Sequence, residues 1–144
     1  MRECVVVTGM GGISPVGTGV RQLWSAARDG VSGVRDVVLS RNANNRVKIA
    51  AQALGFDPEA HLPSGLASQI DRVSQFALAA TSQALEQAGL SLERLGPRTA
   101  VIVGTGYGGA TTIDDQHHDD YVQHNRLNPM TIPRVMCSAS ASHI

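Results

Sequence analysis

Aromatic side chains are scarce in this sequence. One Trp, two Tyr and two Phe are all it carries among 144 residues. Alanine, valine, leucine and isoleucine must therefore build the core, a composition suited to close packing of helices on a sheet. Cysteine is as scarce. Cys4 and Cys137 are the only two, too few for a disulfide framework. Excess charge of either sign is missing too: 12 Lys and Arg balance 12 Asp and Glu. A nucleic-acid binder would normally show a basic excess or stripe, and an anionic membrane surface would call for a polybasic cluster. Long hydrophobic runs are also lacking. Cys4–Val7 and Ala100–Val103 are among the longest, far short of a membrane span. Gly9, Gly11 and Gly12 interrupt the N-terminal apolar run at once, so it does not read as a secretory signal. These absences exclude nucleic acid and membrane as partners and point to a cytoplasmic protein of one domain at the usual length.

What is present reads as α/β. Cys4–Thr8 is a mostly β-branched run without alternation, the pattern of a strand buried on both faces. Gly9-Met10-Gly11-Gly12 makes a turn. Val20, Leu23, Trp24 and Ala27 then recur at helical spacing, with Thr18 as candidate N-cap and Gly30 as candidate C′ residue. Strand, glycine turn and helix open an α/β unit. Residues 31–45 read as loop, with breakers at Ser32-Gly33 and Asn42–Asn45. Arg46–Ala50 predicts a short strand and residues 54–67 an irregular stretch. A long helix is expected over 68–88, with Ile70, Val73, Ala77, Ala80, Ala84 and Ala88 as its stripe and Gly89 at its end. The alanines of that stripe would let a partner approach closely.

Arg98–Val103 reads as a second buried strand, followed by the turn Gly104-Thr105-Gly106-Tyr107-Gly108-Gly109. A polar helical stretch through Tyr121 and a loop to Pro129 come next. Pro133 is placed to start a last helix over Arg134–Ile144. That helix has no cap within the sequence, so the domain is expected to continue past it.

Several groups could carry chemistry. Gly104-x-Gly106-x-x-Gly109 after a strand matches a dinucleotide fingerprint, which also needs a second strand ending in an acidic residue about 20 residues on. Residues 113–128 offer no such strand, so tight turns are the simpler reading of the glycines. Asp114 and His118, and Asp115 and Asp119, are spaced to share a helix face, as metal ligands or as a solvated acidic face would be. The solvated face is far commoner, so no metal and no cofactor is expected. His61, His124 and His143 stand alone. Cys4 is expected to be a small apolar residue in a strand. Cys137, several residues past the expected helix start, gains little from the helix dipole and is expected to be a structural, inert cysteine.

Taken in order, the motifs resemble one family. Val5-Val6-Val7-Thr8-Gly9-Met10-Gly11-Gly12-Ile13-Ser14-Pro15-Val16-Gly17 resembles the N-terminal signature of β-ketoacyl-acyl-carrier-protein synthases of type II, the condensing enzymes of fatty-acid and polyketide synthesis. Asp29–Val34, Asp71–Ala80, Gln87–Leu90, Val103–Gly109, Pro129–Pro133 and Ala139–Ile144 resemble successive later segments of that family. The resemblance implies a thiolase-like fold: α/β, a mixed sheet covered by helices, with this chain as the N-terminal portion, residues 1–144, and incomplete. It implies decarboxylative condensation of an acyl thioester with malonyl-carrier protein by the parent enzyme. It also implies that the catalytic cysteine and two histidines lie outside this chain, which alone is then inactive. No catalytic residue is therefore assigned. Expected partners are an acyl carrier protein and the remainder of the synthase or a second synthase chain, in a dimer.

The residues carried over are those of the acyl pocket: Gly106, Tyr107 and Gly108 in the glycine turn at the channel floor, and Met130, Thr131 and Ile132 near the channel and the dimer interface. Many relatives have a smaller apolar residue where Tyr107 stands. Tyr107 is therefore expected to shorten or gate the pocket, or else to fill core space. The alternatives are a non-catalytic partner subunit of a condensing-enzyme heterodimer and a small nucleotide-binding domain. A half-sheet without neighbouring strands would expose apolar surface, so the chain by itself is not expected to be a stable monomer.

Overall fold

The computed structural model describes residues 4–37 and 46–144. The breakers Asn42–Asn45 lie outside the described residues. The secondary structure, in chain order, is β1 (Ile13–Ser14), β2 (Gly17–Thr18), α1 (Val20–Arg28), β3 (Arg35–Asp36), β4 (Ile49–Ala50), a 3₁₀ turn at Pro58–Ala60, α2 (Arg72–Ala88), a second 3₁₀ turn at Leu92–Arg94, α3 (Ala110–Tyr121), α4 (Thr131–Val135) and α5 (Ala139–His143).

α2 organises the rest. Asp71 caps it, its Oδ1 accepting the Val73 N–H at 2.9 Å, which satisfies one of the first-turn donors a helix leaves unpaired. At the far end Gly89 N–H donates to Glu86 O and Leu90 N–H to Leu85 O, the paired bonds of a Schellman closure. The expected helix of 68–88 thus starts four residues later, where a capping side chain is available. Ser74, Gln75 and Ala79 are its buried positions, on a face adjacent to the predicted stripe. Ser74 Oγ and Ser140 Oγ of α5 are 3.1 Å apart, and Gln75 Nε2 donates to Ala67 O at 2.9 Å. Ile70, Phe56, Ala67 and Ala139 complete this core.

The alanine stripe receives the N-terminal glycine turn, as its small side chains predict. A Cβ on Gly11 would overlap the carbonyl oxygen of Ala80, and one on Gly9 that of Ala84. Two glutamines on the same side of α2 hold the turn there. Gly12 N–H donates to Gln83 Oε1 at 3.0 Å and Met10 N–H to Gln87 Oε1 at 2.6 Å.

Arg72 anchors the loop before α2. Its guanidinium carbon sits 4.9 Å from the Phe56 ring centroid and 4.8 Å from that of Phe76. Its NH2 donates to Ala53 O and Phe56 O, both at 3.1 Å. Burial pushes this guanidinium below its ordinary pKa, yet an arginine remains cationic at physiological pH, and cation–π contact suits such a site. His61 stacks on Phe56 at 5.4 Å.

Four sequence expectations are corrected. Cys4–Thr8 and Arg98–Val103 form no ladder, because strand pairing needs a neighbour for each N–H and C=O and none pairs with them among the described residues. The described residues carry two short antiparallel pairs, β1 with β2 and β3 with β4. Cys4 is accordingly exposed, with Val5 at 95 % and Ile102 at 91 % exposure. Thr18 pairs with Ile13, and Gly19 takes the N-cap position of α1 without a side-chain cap. The expected loop 31–45 contains β3, since Arg35 and Asp36 pair with Ala50 and Ile49. The single helix over 134–144 is two helices. The backbone leaves the helical region at Met136, ψ 140°, so Pro133 falls within α4, and Cys137 sits exposed in the turn between the helices.

Gly30 does take a left-handed conformation after α1, φ 67°, as predicted. The stripe of α1 faces outward, however: Trp24 is 68 % exposed, and Ala26 is the buried residue of that helix.

Candidate functional site

The two groups of expected pocket residues meet on α4. Gly108 and Gly109 are buried. Gly109 precedes α3 with φ 69°, and a Cβ there would lie 2.5 Å from Val135 Cα. Only glycine suits both the left-handed backbone and the approach. Gly108 lies over Val135–Cys137, with a Cβ position 3.5 Å from Met136 O and Cys137 Cα. The glycine turn thus abuts the C-terminal end of α4, and Met130–Ile132 begins that same helix, about 6 Å away along its axis.

α3 fixes both ends of this arrangement. At its start, Thr112 is held by the buried Asp71: Thr112 Oγ1 donates to Asp71 Oδ2 at 2.6 Å and its N–H at 3.2 Å. One turn on, Gln116 Oε1 accepts from the Asn128 N–H at 2.9 Å and from Thr131 Oγ1 at 2.8 Å. Asn128 Oδ1 accepts the Met130 N–H at 2.9 Å. Each link passes from the N-terminus of α2 through α3 to the first residues of α4.

Apart from Thr131, whose hydroxyl bonds Gln116, the side chains expected to line a pocket lie outside this frame. Tyr107 is 69 % exposed; Gly106, Met130 and Ile132 are exposed and Thr131 is half-buried. The backbone positions come together through α4, but their larger side chains close no cavity with one another. Tyr107 packs little against the residues of this chain.

The acidic run is a helix face. His118 Nδ1 is 3.9 Å from Asp119 Oδ1, and among the described residues no three His, Cys, Asp or Glu side chains gather as a metal would require. The dinucleotide fingerprint leads into α3, and no strand follows it among the described residues, so an acidic ribose ligand has no strand to stand on. No helix among the described residues is long and apolar enough to cross a membrane.

The sequence reading missed Gln116, the Asp71–Thr112 link and the Ser74–Ser140 contact. Gln83 and Gln87 were legible in principle, since they flank the alanine stripe at i, i+4 spacing.

The model of the β-ketoacyl synthase N-terminal domain matches residues 2–144. The chain belongs to the β-ketoacyl synthase family. It is 31% identical over 134 residues to 3-oxoacyl-[acyl-carrier-protein] synthase 2 of Staphylococcus aureus, covering 92% of this chain and 32% of that protein. It is 38% identical over 119 residues to a putative polyketide beta-ketoacyl synthase 1 of Streptomyces halstedii, covering 81% of this chain and 28% of that one. The chain therefore spans about a third of the length of the curated relatives it matches.

Among solved structures, the ishigamide ketosynthase/chain length factor superposes with a TM-score of 0.80 at 30% identity, over 94% of this chain and 34% of that one. A type II PKS acyl-carrier protein in complex with its ketosynthase, bound to the hexaketide, gives 0.74 at 24% identity, over 99% and 38%. The fold is accordingly that of the N-terminal part of the thiolase-like ketosynthases. For a β-ketoacyl synthase segment, the frame of α2, α3 and α4 is the part that positions the glycine turn.

Proposed function

We propose that this chain serves in a β-ketoacyl-acyl-carrier-protein synthase that lengthens an acyl thioester in fatty-acid or polyketide synthesis. In that reaction a malonyl thioester loses its carboxylate as CO₂. The electron pair of the broken C–C bond attacks the acyl thioester carbonyl carbon, and the thiolate leaves. The family match over residues 2–144 carries the reading.

No residue of this chain takes a catalytic role in it. Cys137 stands exposed in a turn between two five-residue helices, unlike a nucleophile seated at the start of a buried helix. The catalytic cysteine and histidines belong to other residues of the enzyme. Gly106, Tyr107, Gly108, Met130, Thr131 and Ile132 line the acyl channel once the rest of the enzyme covers them. The partners are an acyl carrier protein and further synthase chain, assembled as a dimer in the cytoplasm.

The test supplies the natural polypeptide carrying this sequence with acyl-carrier and malonyl-carrier thioesters. A 3-oxoacyl product with one CO₂ released per condensation supports the proposal; neither product at any acyl length overturns it. The likeness to a ketosynthase/chain length factor favours one second reading, a non-catalytic subunit paired with an active synthase. Product formed only after a second synthase chain is added, and retained when every cysteine of the whole natural polypeptide carrying this sequence is replaced by serine, selects that reading.

A further inference from the structure

We propose that Gln116 is a positioning residue for acyl-chain selection: it fixes where Met130–Ile132 stands, and through that segment the length of acyl group accepted. This rests on the acyl-channel reading above. Thr131 and Asn128 approach one acceptor atom, Gln116 Oε1, from either side of Pro129, at 2.8 and 2.9 Å. Asn128 Oδ1 in turn holds the Met130 N–H at 2.9 Å. Two bonds to the Gln116 side chain, and a third from Met130 to Asn128, therefore fix the entry to α4. α4 is only five residues long, too short to hold its own place, because isolated helices of that length are not stable. Gln116 itself is immobilised, since α3 is tied to α2 through Asp71 and Thr112. The bare alternative, a surface glutamine, does not explain one oxygen serving two donors from another segment.

Substitution separates positioning from bulk. Gln116→Met keeps length and volume and removes the acceptor; Gln116→Glu keeps an acceptor oxygen for both donors. In the natural polypeptide, hydrogen exchange at the Asn128 amide reports the tether without reference to activity. Gln116→Met should speed that exchange about tenfold, the loss of one well-formed hydrogen bond, and Gln116→Glu should restore it. KM for the longest accepted acyl thioester should rise about five- to tenfold in Gln116→Met, with kcat for the shortest unchanged, and Gln116→Glu should match the parent.

If Gln116→Met fails to fold, Gln116→Ala removes the same acceptor without added bulk. Unchanged exchange at Asn128 in the Met or Ala variant overturns the tether. Faster exchange with an unchanged acyl profile overturns the selection role. A parent that makes no 3-oxoacyl product overturns the proposed function instead, and the acyl half of this inference with it, while exchange still decides the tether.

Discussion

Ser74 and Ser140 meet across 66 residues of sequence, their hydroxyl oxygens 3.1 Å apart in the core. Both are essentially sealed from solvent, at 0 % and 2 % exposure. This is a buried contact between α5 and α2, and it is polar in a core whose apolar members are alanine, isoleucine and phenylalanine. A buried hydroxyl that loses its only partner bears a desolvation penalty of about 1–3 kcal/mol, whereas removing both partners leaves nothing unsatisfied. Ser74→Ala and Ser140→Ala should therefore each lower stability by about 1–2 kcal/mol, and the double variant should lose less than the two singles together. Denaturant midpoints of the four proteins decide it; strict additivity would show that the hydroxyls do not depend on each other.

The seat of the N-terminal turn gives a second expectation. Gly11 lies so close to α2 that a methyl group would overlap the Ala80 carbonyl, and backbone cannot swing aside as a flexible side chain can. Gly11→Ala should cost at least about 1–3 kcal/mol, the usual cost of overpacking. Gly55→Ala, where nothing lies within 4 Å, should cost less. Thermal melts of the pair check this, and equal midpoints would show that the turn is free to move off α2.

Arg72 is held by two rings and two carbonyls at once. Lysine keeps the charge but has neither a planar face to stack nor a fork to reach both carbonyls. Arg72→Lys should lose about 1–2 kcal/mol, and loosening should appear in residues 53–61 before α2 itself. Hydrogen exchange that rises uniformly along α2, with no excess in that loop, would contradict this.

The alanine stripe, both turns of glycine and the C-terminal ends of α1 and α2 were legible in the sequence, because small residues and positive-φ glycines act locally. The strands at Cys4–Thr8 and Arg98–Val103 were legible only as apolar runs. Hydrophobicity signals that side chains are to be covered, not which segment covers them, and pairing is a non-local fact. The two-helix ending was hidden for a similar reason: Ala139–His143 has ordinary helical composition, and nothing local marks the extended backbone at Met136. At the candidate site, the glycines and Met130–Ile132 were found through family likeness, while Gln116 was missed since its role comes from Asn128 and Thr131, residues 12 and 15 positions away.

The unpaired runs predict how the isolated chain behaves. Val5, Val7 and Ile102 are each more than three-quarters exposed, on segments with no ladder partner among the described residues. Exposed apolar strand edges recruit other chains. Residues 1–144 expressed alone should associate at micromolar concentration and bind a hydrophobic dye. Light scattering that finds a monodisperse 15.1 kDa species with a cooperative melt would overturn this.

Tyr107 separates packing from selection. At 69 % exposure it buries little surface against the residues of this chain. Its place in the glycine turn beside α4 is instead where an acyl chain would end if Met130–Ile132 lines the same channel. Tyr107→Ala in the natural polypeptide should leave the melting temperature within about 2 °C while lengthening the acyl group accepted. Removing an aromatic ring opens space for several methylenes, each worth about 0.8 kcal/mol when buried, so the preference for the longer chain should rise at least about threefold per added methylene. A melting temperature that falls steeply would make Tyr107 a packing residue. An acyl-length profile that does not move, with stability intact, would place the end of the channel elsewhere and remove Tyr107 from the site.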